Sequence, residues 1–379
     1  TAGRSQKESW NCIPGLFLYL YVEVIIMTTI QYADVNQQIE KLKSRNLTFK
    51  NIDYARKYLE LYGYSNLIKS YRDPYVIEEN GKKIFRDGVS FEQVCSLYIF
   101  DKNLRIAVMA AMLDLEEYFK EVTANVVAQS FGTHQDQYLE YRNYQNKRKT
   151  KYRFSLPGIL DTLKKTLDTD KEPIHHYIEK YGTVPPWILF KSVYFSTIVN
   201  YIDQLKACER RKMVQRIYNL DSISEDNQLQ LMMDTLFIAL EYRNMAAHGG
   251  RIYNYQCKRE LSDAGKSITS LNGFSLLLRL LDLMDYRAPY SYLDSTLTRE
   301  LNRHCKLFPQ DTVYLEQILN LKITLHDIVW ITDKSKIYHA TQHCSGMKKA
   351  REIDLKQAQS LGYSKCCKCC LHSRLTPAV

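Results

Sequence analysis

SISEDNQLQLMMDTLFIALEYRNMAAHGG, residues 222–250, reads as one long amphipathic helix with a start and a stop signal. Ser222 or Ser224 can cap its first turn, and Glu225 and Asp226 sit at its positive end. Leu229, Met232, Leu236 and Leu240 recur at three- and four-residue steps and mark a buried stripe. Gly249-Gly250 supplies the C-terminal stop. At about 100° per residue, Arg243 falls about 60° to one side of Leu240 and Asn244 about 40° to the other, with His248 beyond it. Polar groups therefore straddle a face that belongs to the core. An Arg on an apolar seam is costly unless it is paired or functional. A His at a helix C-terminus is favoured when protonated. Two readings of the spacing stand: a catalytic Arg/His pair, or a helix-ending His beside an Arg paired to an acid such as Glu116. Arg-x4-His does not separate them, because the EYRN of 140–143 repeats that of 241–244 with no His following at the matching step.

The same helical period extends in both directions. It is strong over 91–128 (Phe91, Val94, Tyr98, Leu104, Val108, Met112, Leu115, Phe119) and recurs in 187–206, 274–285 and 313–321. Pro185-Pro186 before Trp187 suits a helix start. Strand-like alternation is rare before residue 323, so 27–320 is expected to be an all-α domain. Between two helical blocks, RNYQNKRKTKYR (142–153) holds six Lys/Arg and no acid. It reads as an exposed basic loop, either a solvated linker or a track for an RNA backbone through Lys147, Arg148 and Lys149.

The chain of 379 residues carries a net charge of +10, which a polyanion partner or merely a soluble basic surface would explain. Residues 1–26 contribute none of it, since Arg4 and Lys7 balance Glu8 and Glu23. Their apolar run, IPGLFLYLYVEVII (13–26), is shorter than the roughly 20 residues of a membrane helix. The segment is read as a non-native or start-site extension rather than an anchor, and the protein as cytoplasmic, with no membrane partner.

After about residue 322 the period changes. Ile328–Thr332 and Lys336–His339 around Asp333-Lys334-Ser335 form an expected β-hairpin, and 353–361 an expected short helix. Of ten cysteines, five lie in the last 36 residues, a clustering that suggests metal ligation in a reducing compartment rather than a disulfide framework. His339-x4-Cys344-x21-Cys366-x2-Cys369 offers four ligands in two pairs, the number and type that tetrahedral zinc needs. Cys367 and Cys370 form a second CxxC, and the Gly362-Tyr363 spacing favours Cys366/Cys369. A reduced, metal-free cluster is the competing reading. Segment 325–379 has nine Lys/Arg against four Asp/Glu, so 321–379 is expected to be a small basic zinc-type module that grips RNA or simply staples itself.

Several spaced motifs carry a resemblance. They are Tyr62-Gly63-Tyr64; Gly88-Val89-Ser90-Phe91-Glu92 through Phe100-Asp101-Lys102-Asn103-Leu104-Arg105; and Leu115-Glu116 with Phe119-Lys120. Pro185-Pro186-Trp187 and Arg243-Asn244…Ala247-His248 with Arg251 and Asn254 complete the order. Over roughly 35–290 the chain resembles the Abi family of bacterial abortive-infection proteins, the AbiD/AbiF-like group, whose catalytic domain belongs to the HEPN (higher eukaryotes and prokaryotes nucleotide-binding) ribonucleases. Lys191, Ser196 and Lys120 stand where family members usually carry Glu, Gly and Arg. The C-terminal pattern, Tyr338-His339…Cys344 through Gly362-Tyr363…Cys366…Cys369, resembles a small module appended to many bacterial nucleases and surface proteins.

The resemblance implies a mainly α, HEPN-like bundle and a metal-independent endoribonuclease of phage defence, a toxin acting as a homodimer. His248 would be acid and base, Arg243 would hold the phosphate, and Asn244 and Glu116 would assist. Arg105, Arg251 and Asn254 would join Lys147, Arg148 and Lys149 in contacting RNA. DNA would be inert, an antitoxin or bound RNA would be a further partner, and zinc would be structural, with no cofactor needed for cleavage. The alternative is a non-catalytic HEPN protein that binds RNA or a partner through its zinc module.

Overall fold

Ser90 begins the helix around which the rest is built. Its side chain accepts from the Gln93 N–H, and the helix then runs unbroken from Phe91–Phe131, 41 residues, to Gly132 at φ 95°. At 1.5 Å per residue it is about 60 Å long. Its apolar residues lie on most sides because the helices Ala288–Leu307, Glu225–Ala247 and Ala207–Ile217 and the short turn Pro186–Leu189 all pack on it. We call Phe91–Phe131 the central helix and Glu225–Ala247 the site helix. One stripe of the central helix stays open to solvent: Ile106, Ala110, Leu113 and Glu117.

The computed structural model describes residues 31–344, 347 and 349–370, and the reading of 1–26 concerns residues outside that set. The domain is mainly helical, as expected. Among the described residues no helix is long and apolar enough to cross a membrane. Two expectations need adjusting. The period over 187–206 breaks into Pro186–Leu189, a 3-10 turn Phe190–Ser192, and Phe195–Gln204. A hairpin, β1 Val76–Glu79 with β2 Lys82–Phe85, interrupts the all-α reading. Its turn is Asn80-Gly81, both at positive φ, the usual chemistry of a two-residue hairpin.

A buried carboxylate fastens Ala288–Leu307 to the central helix. Asp311 accepts from Tyr75 Oη at 2.7 Å, Gln93 Nε2 at 2.8 Å and His304 Nε2 at 3.0 Å, and His304 Nδ1 meets Ser96 Oγ at 2.8 Å. Every buried polar group of this cluster thus has a partner, which is what permits its burial.

The C-terminal module is a sheet in the order β5-β3-β4-β6. β3 Ile328–Thr332 and β4 Ser335–His339 make the expected hairpin. β5 Arg351–Asp354, not expected, pairs with β3 ahead of the short helix Leu355–Ser360, and β6 Ser364–Lys365 runs parallel to β4. Its core is small: Val329, Ile331, Tyr338, Ile353 and Ala358 beside three cysteines.

Candidate active site and metal centre

The site helix ends as its glycines require. Gly249, at φ 70°, donates to the Ala246 carbonyl at 3.1 Å, and Gly250 donates to that of Met245 at 2.9 Å. This double bond closes the last turn and satisfies carbonyls that the helix leaves open. A side chain at Gly250 would meet Met245 Sδ at 1.9 Å. His248 is the capping residue, and it, Ala247 and Asn244 are exposed. Asn244 and His248, four apart, share one side of the helix. Arg243 is half-buried, and its Nε is buried without a hydrogen-bond partner. Among the described residues no carboxylate lies within ion-pair distance of it.

Residues from distant parts of the chain brace this helix end. Arg105 Nη1 donates to the Gly249 carbonyl at 2.6 Å. Arg251 Nη1 donates to the Ser70 carbonyl at 2.7 Å, with Asp73 Oδ2 at 3.7 Å. Fully buried Asp101 accepts from Ile252 N and Tyr253 N, each at 2.8 Å, and from Tyr71 Oη at 2.5 Å. Burial pushes the Asp101 carboxyl above its ordinary value, against the pull of those hydrogen bonds and of the Arg105 charge. Glu241 accepts from Lys258 N at 2.9 Å, Arg259 N at 3.0 Å and Tyr255 Oη at 2.8 Å. Of the EYRN stretch, then, Glu241 braces, Tyr242 is core, Arg243 is half-buried and Asn244 is exposed.

The residues expected on RNA fall into two groups. Arg105 and Arg251 hold the turn after the site helix, and Asn254 is half-buried beside them. The basic segment is not a loose linker: Lys147 and Lys149 both pair with Asp203, and Gln145 donates from its backbone to Gln204. Burial raises the Asp203 carboxyl, but the two lysines more than offset it and hold it below its ordinary value. Arg148 remains exposed.

Glu116 does not pair with Arg243. Its ion pair is with Lys120, one turn on in the central helix, at 2.8 Å, and its second oxygen is buried without a partner. The pair lines a cavity of about 540 Å³ with Leu113, Trp187 and Lys191. Sequence spacing could not show that Glu116 and the Pro-Pro-Trp segment meet.

In the C-terminal module His339, Cys344, Cys366 and Cys369 offer ligand atoms that all lie within 4.8 Å of one another. Cys344 Sγ and Cys366 Sγ are 3.8 Å apart, and Cys369 Sγ is 3.7 Å from His339 Nδ1. A tetrahedral zinc with bonds of about 2.3 Å to sulfur separates two thiolates by about 3.8 Å, so the donor set fits that ion. Backbone N–H groups of Cys369 and Lys368 hold the Cys366 thiol below its ordinary value. Cys367, in the other CxxC register, points to solvent. Cys370 Sγ lies 3.8 Å from the Tyr338 carbonyl.

A family model described as Abi-like protein matches residues 57–254, a span that contains Asp101, Glu116, Trp187, Arg243, His248 and Arg251. No curated protein and no solved structure matches the chain.

Proposed function

The chain belongs to the Abi-like family, which points to abortive infection, and from that premise we propose that it is a metal-independent RNA endonuclease of phage defence with a HEPN-type site. The observation that carries this reading is the braced end of the site helix. There, exposed His248 and Asn244 flank an Arg243 whose Nε has no partner. The RNA 2′-oxygen attacks the adjacent phosphorus, the bond from phosphorus to the 5′-oxygen breaks, and no metal takes part. One imidazole takes the 2′-hydroxyl proton, and a second gives a proton to the leaving 5′-oxygen. Arg243 holds the charge that develops on the phosphorane oxygens, and Asn244 orients His248 or a phosphate oxygen. The products are a 2′,3′-cyclic phosphate, or the 3′-phosphate that follows from it, and a 5′-hydroxyl.

Each chain supplies one His248, so the second imidazole comes from a second copy. The exposed apolar residues Ile106 and Ala110 give that copy a seat. They lie on the helix whose Arg105 touches the site turn. In the same reading His339, Cys344, Cys366 and Cys369 hold a structural zinc, which ties the module's turns together and supplies no step of the cleavage. A cavity of about 720 Å³ in that module, lined by Lys334, Lys349 and Lys368, favours a second reading in which the module grips RNA without cleavage.

Labelled RNA separates the two. In buffer free of Mg²⁺, His248→Ala and Arg243→Ala are expected to lower cleavage by about 100-fold or more, the usual worth of a general acid-base group or an oxyanion donor. The His248→Ala melting temperature should stay unchanged, because the side chain is exposed. Undiminished cleavage in both variants removes this site. Cleavage that appears only when Mg²⁺ is added makes the protein a metal nuclease.

A further inference from the structure

The cavity between the central helix and Pro186–Leu189 is used by no step above, yet two separate sequence motifs build it. We infer that it receives one unstacked nucleobase, stacked on Trp187 and read at its edge by the Glu116–Lys120 pair.

Four observations carry this. First, Trp187 is 38% exposed although it belongs to a turn whose neighbours Ile188, Leu189 and Phe190 are buried, so its ring is offered to the cavity. Leu113, 48% exposed, gives the cavity a second apolar surface. Second, Glu116 and Lys120 are an almost buried pair, 11% exposed on each side, with one Glu116 oxygen lacking any partner. A buried ion pair with an orphan acceptor is a poor structural device. The terminal carboxylate torsion is broad, so a small turn brings that oxygen to a donor entering the cavity. Third, the charges on the lining favour a base over a phosphate. Glu116, Glu117 and Glu121 face Lys120 and Lys191. An acceptor-only carboxylate beside a donor-only ammonium matches a base edge, where an N–H sits next to an oxygen or ring nitrogen. Splayed bases stacked on aromatic rings are the usual way proteins read single-stranded RNA.

Fourth, the cavity and the end of the site helix abut one face of the central helix. Arg105, which touches Gly249, and Glu116 are eleven residues apart on one helix. At about 100° and 1.5 Å per residue they share a face to within about 20° and lie about 16 Å apart along it. One strand can cross both, with the base in the cavity belonging to a nucleotide away from the cleaved bond. The inference rests on the RNA reading only for the source of the base.

The test uses the full chain carrying His248→Ala, so that binding is read without cleavage. Fluorescence anisotropy of a labelled single-stranded RNA should show Trp187→Leu weakening binding about 10-fold or more, the scale of one lost stacking contact, with Trp187→Tyr restoring most of it. An abasic residue moved along the RNA should reproduce that loss at one position, and there Trp187→Leu should add nothing further. Abasic substitution leaves the protein untouched, so misfolding cannot mimic it. Glu116→Gln should change which base is preferred at that position. A parallel titration with nucleoside 5′-monophosphates reads quenching of Trp187 in a chain with Trp10→Phe and Trp330→Phe. Quenching by monophosphates without RNA binding makes a free nucleotide the source of the base. In a chain that binds RNA, equal affinity for Trp187→Leu and its parent or no effect of any abasic position overturns the inference; in one that does not bind RNA, no quenching by monophosphates overturns it. RNA held through Trp187 by a wild-type chain that never cuts it sinks the nuclease reading alone. Cutting that is indifferent to Trp187 sinks this one alone.

Discussion

Asp101→Ala is expected to destabilise the helical domain by about 3–5 kcal/mol, the scale seen when one partner of a buried charged network is removed. Asp101 has no exposed surface and serves three donors: the Tyr71 hydroxyl and the backbone N–H groups of Ile252 and Tyr253. Alanine leaves all three buried and unpaired, and each orphan costs about 1–3 kcal/mol. Asp101→Asn keeps the shape and one acceptor oxygen, and its amide can donate to Tyr71, so about 1–2 kcal/mol is expected for it. Urea unfolding at neutral pH measures both. The two N–H groups belong to the segment just after His248, so RNA cleavage should fall in the alanine variant even well below its melting point. A loss under 1 kcal/mol in Asp101→Ala would mean that the segment holds its place without the carboxylate.

Stripping metal from the C-terminal module is expected to unfold that module and leave the helical domain standing. The module's core is five apolar residues and three cysteines, too little to hold so short a chain unaided. Structural zinc in modules of this size contributes on the order of 10–16 kcal/mol. Under a strong chelator, or in Cys366→Ser with Cys369→Ser, trypsin should cut rapidly at Lys334, Lys336, Arg351 and Lys365. The central and site helices should stay protected. Native mass spectrometry of the untreated protein should show one zinc per chain, lost with the chelator. A mass equal to the metal-free chain, with the same protease resistance before and after chelation, would leave only a reduced cysteine cluster.

Local physics made much of this legible. The site helix was readable because its signals are local: Ser224 at the start, apolar residues on one stripe, and glycines whose left-handed turn closes the end. The candidate donors His339, Cys344, Cys366 and Cys369 were readable because their spacing already suits a hairpin and a turn that bring four ligand atoms together. Asn80-Gly81 carried an equally local signal for β1 and β2, which the dominant helical period obscured. β5 was hidden because its partner β3 lies more than twenty residues back, and four residues carry little periodicity.

What the site residues do with each other was not legible. The resemblance offered Arg105 and Arg251 as RNA contacts; the fold sets each of them on a backbone carbonyl, Gly249 and Ser70, which their motifs do not announce. Lys147 and Lys149 sit in a run with no acid, and Asp203, more than fifty residues on, takes them both. Glu116 was a natural partner for Arg243 by charge, but helix geometry gives it Lys120 one turn away.

By itself, then, the sequence determined the long central and site helices, the C-terminal hairpin and the clustering of His339, Cys344, Cys366 and Cys369, because periodicity, turn chemistry and ligand spacing act within a few residues. Only the tertiary structure decided which charges are neutralised and which stay open. Burial penalises a charge left without a partner, and the partner it finds comes from whatever part of the chain packs beside it. That selection leaves Asn244 and His248 exposed beside a half-buried Arg243 at one helix end, and joins Glu116 to Trp187 in a cavity that neither motif announces.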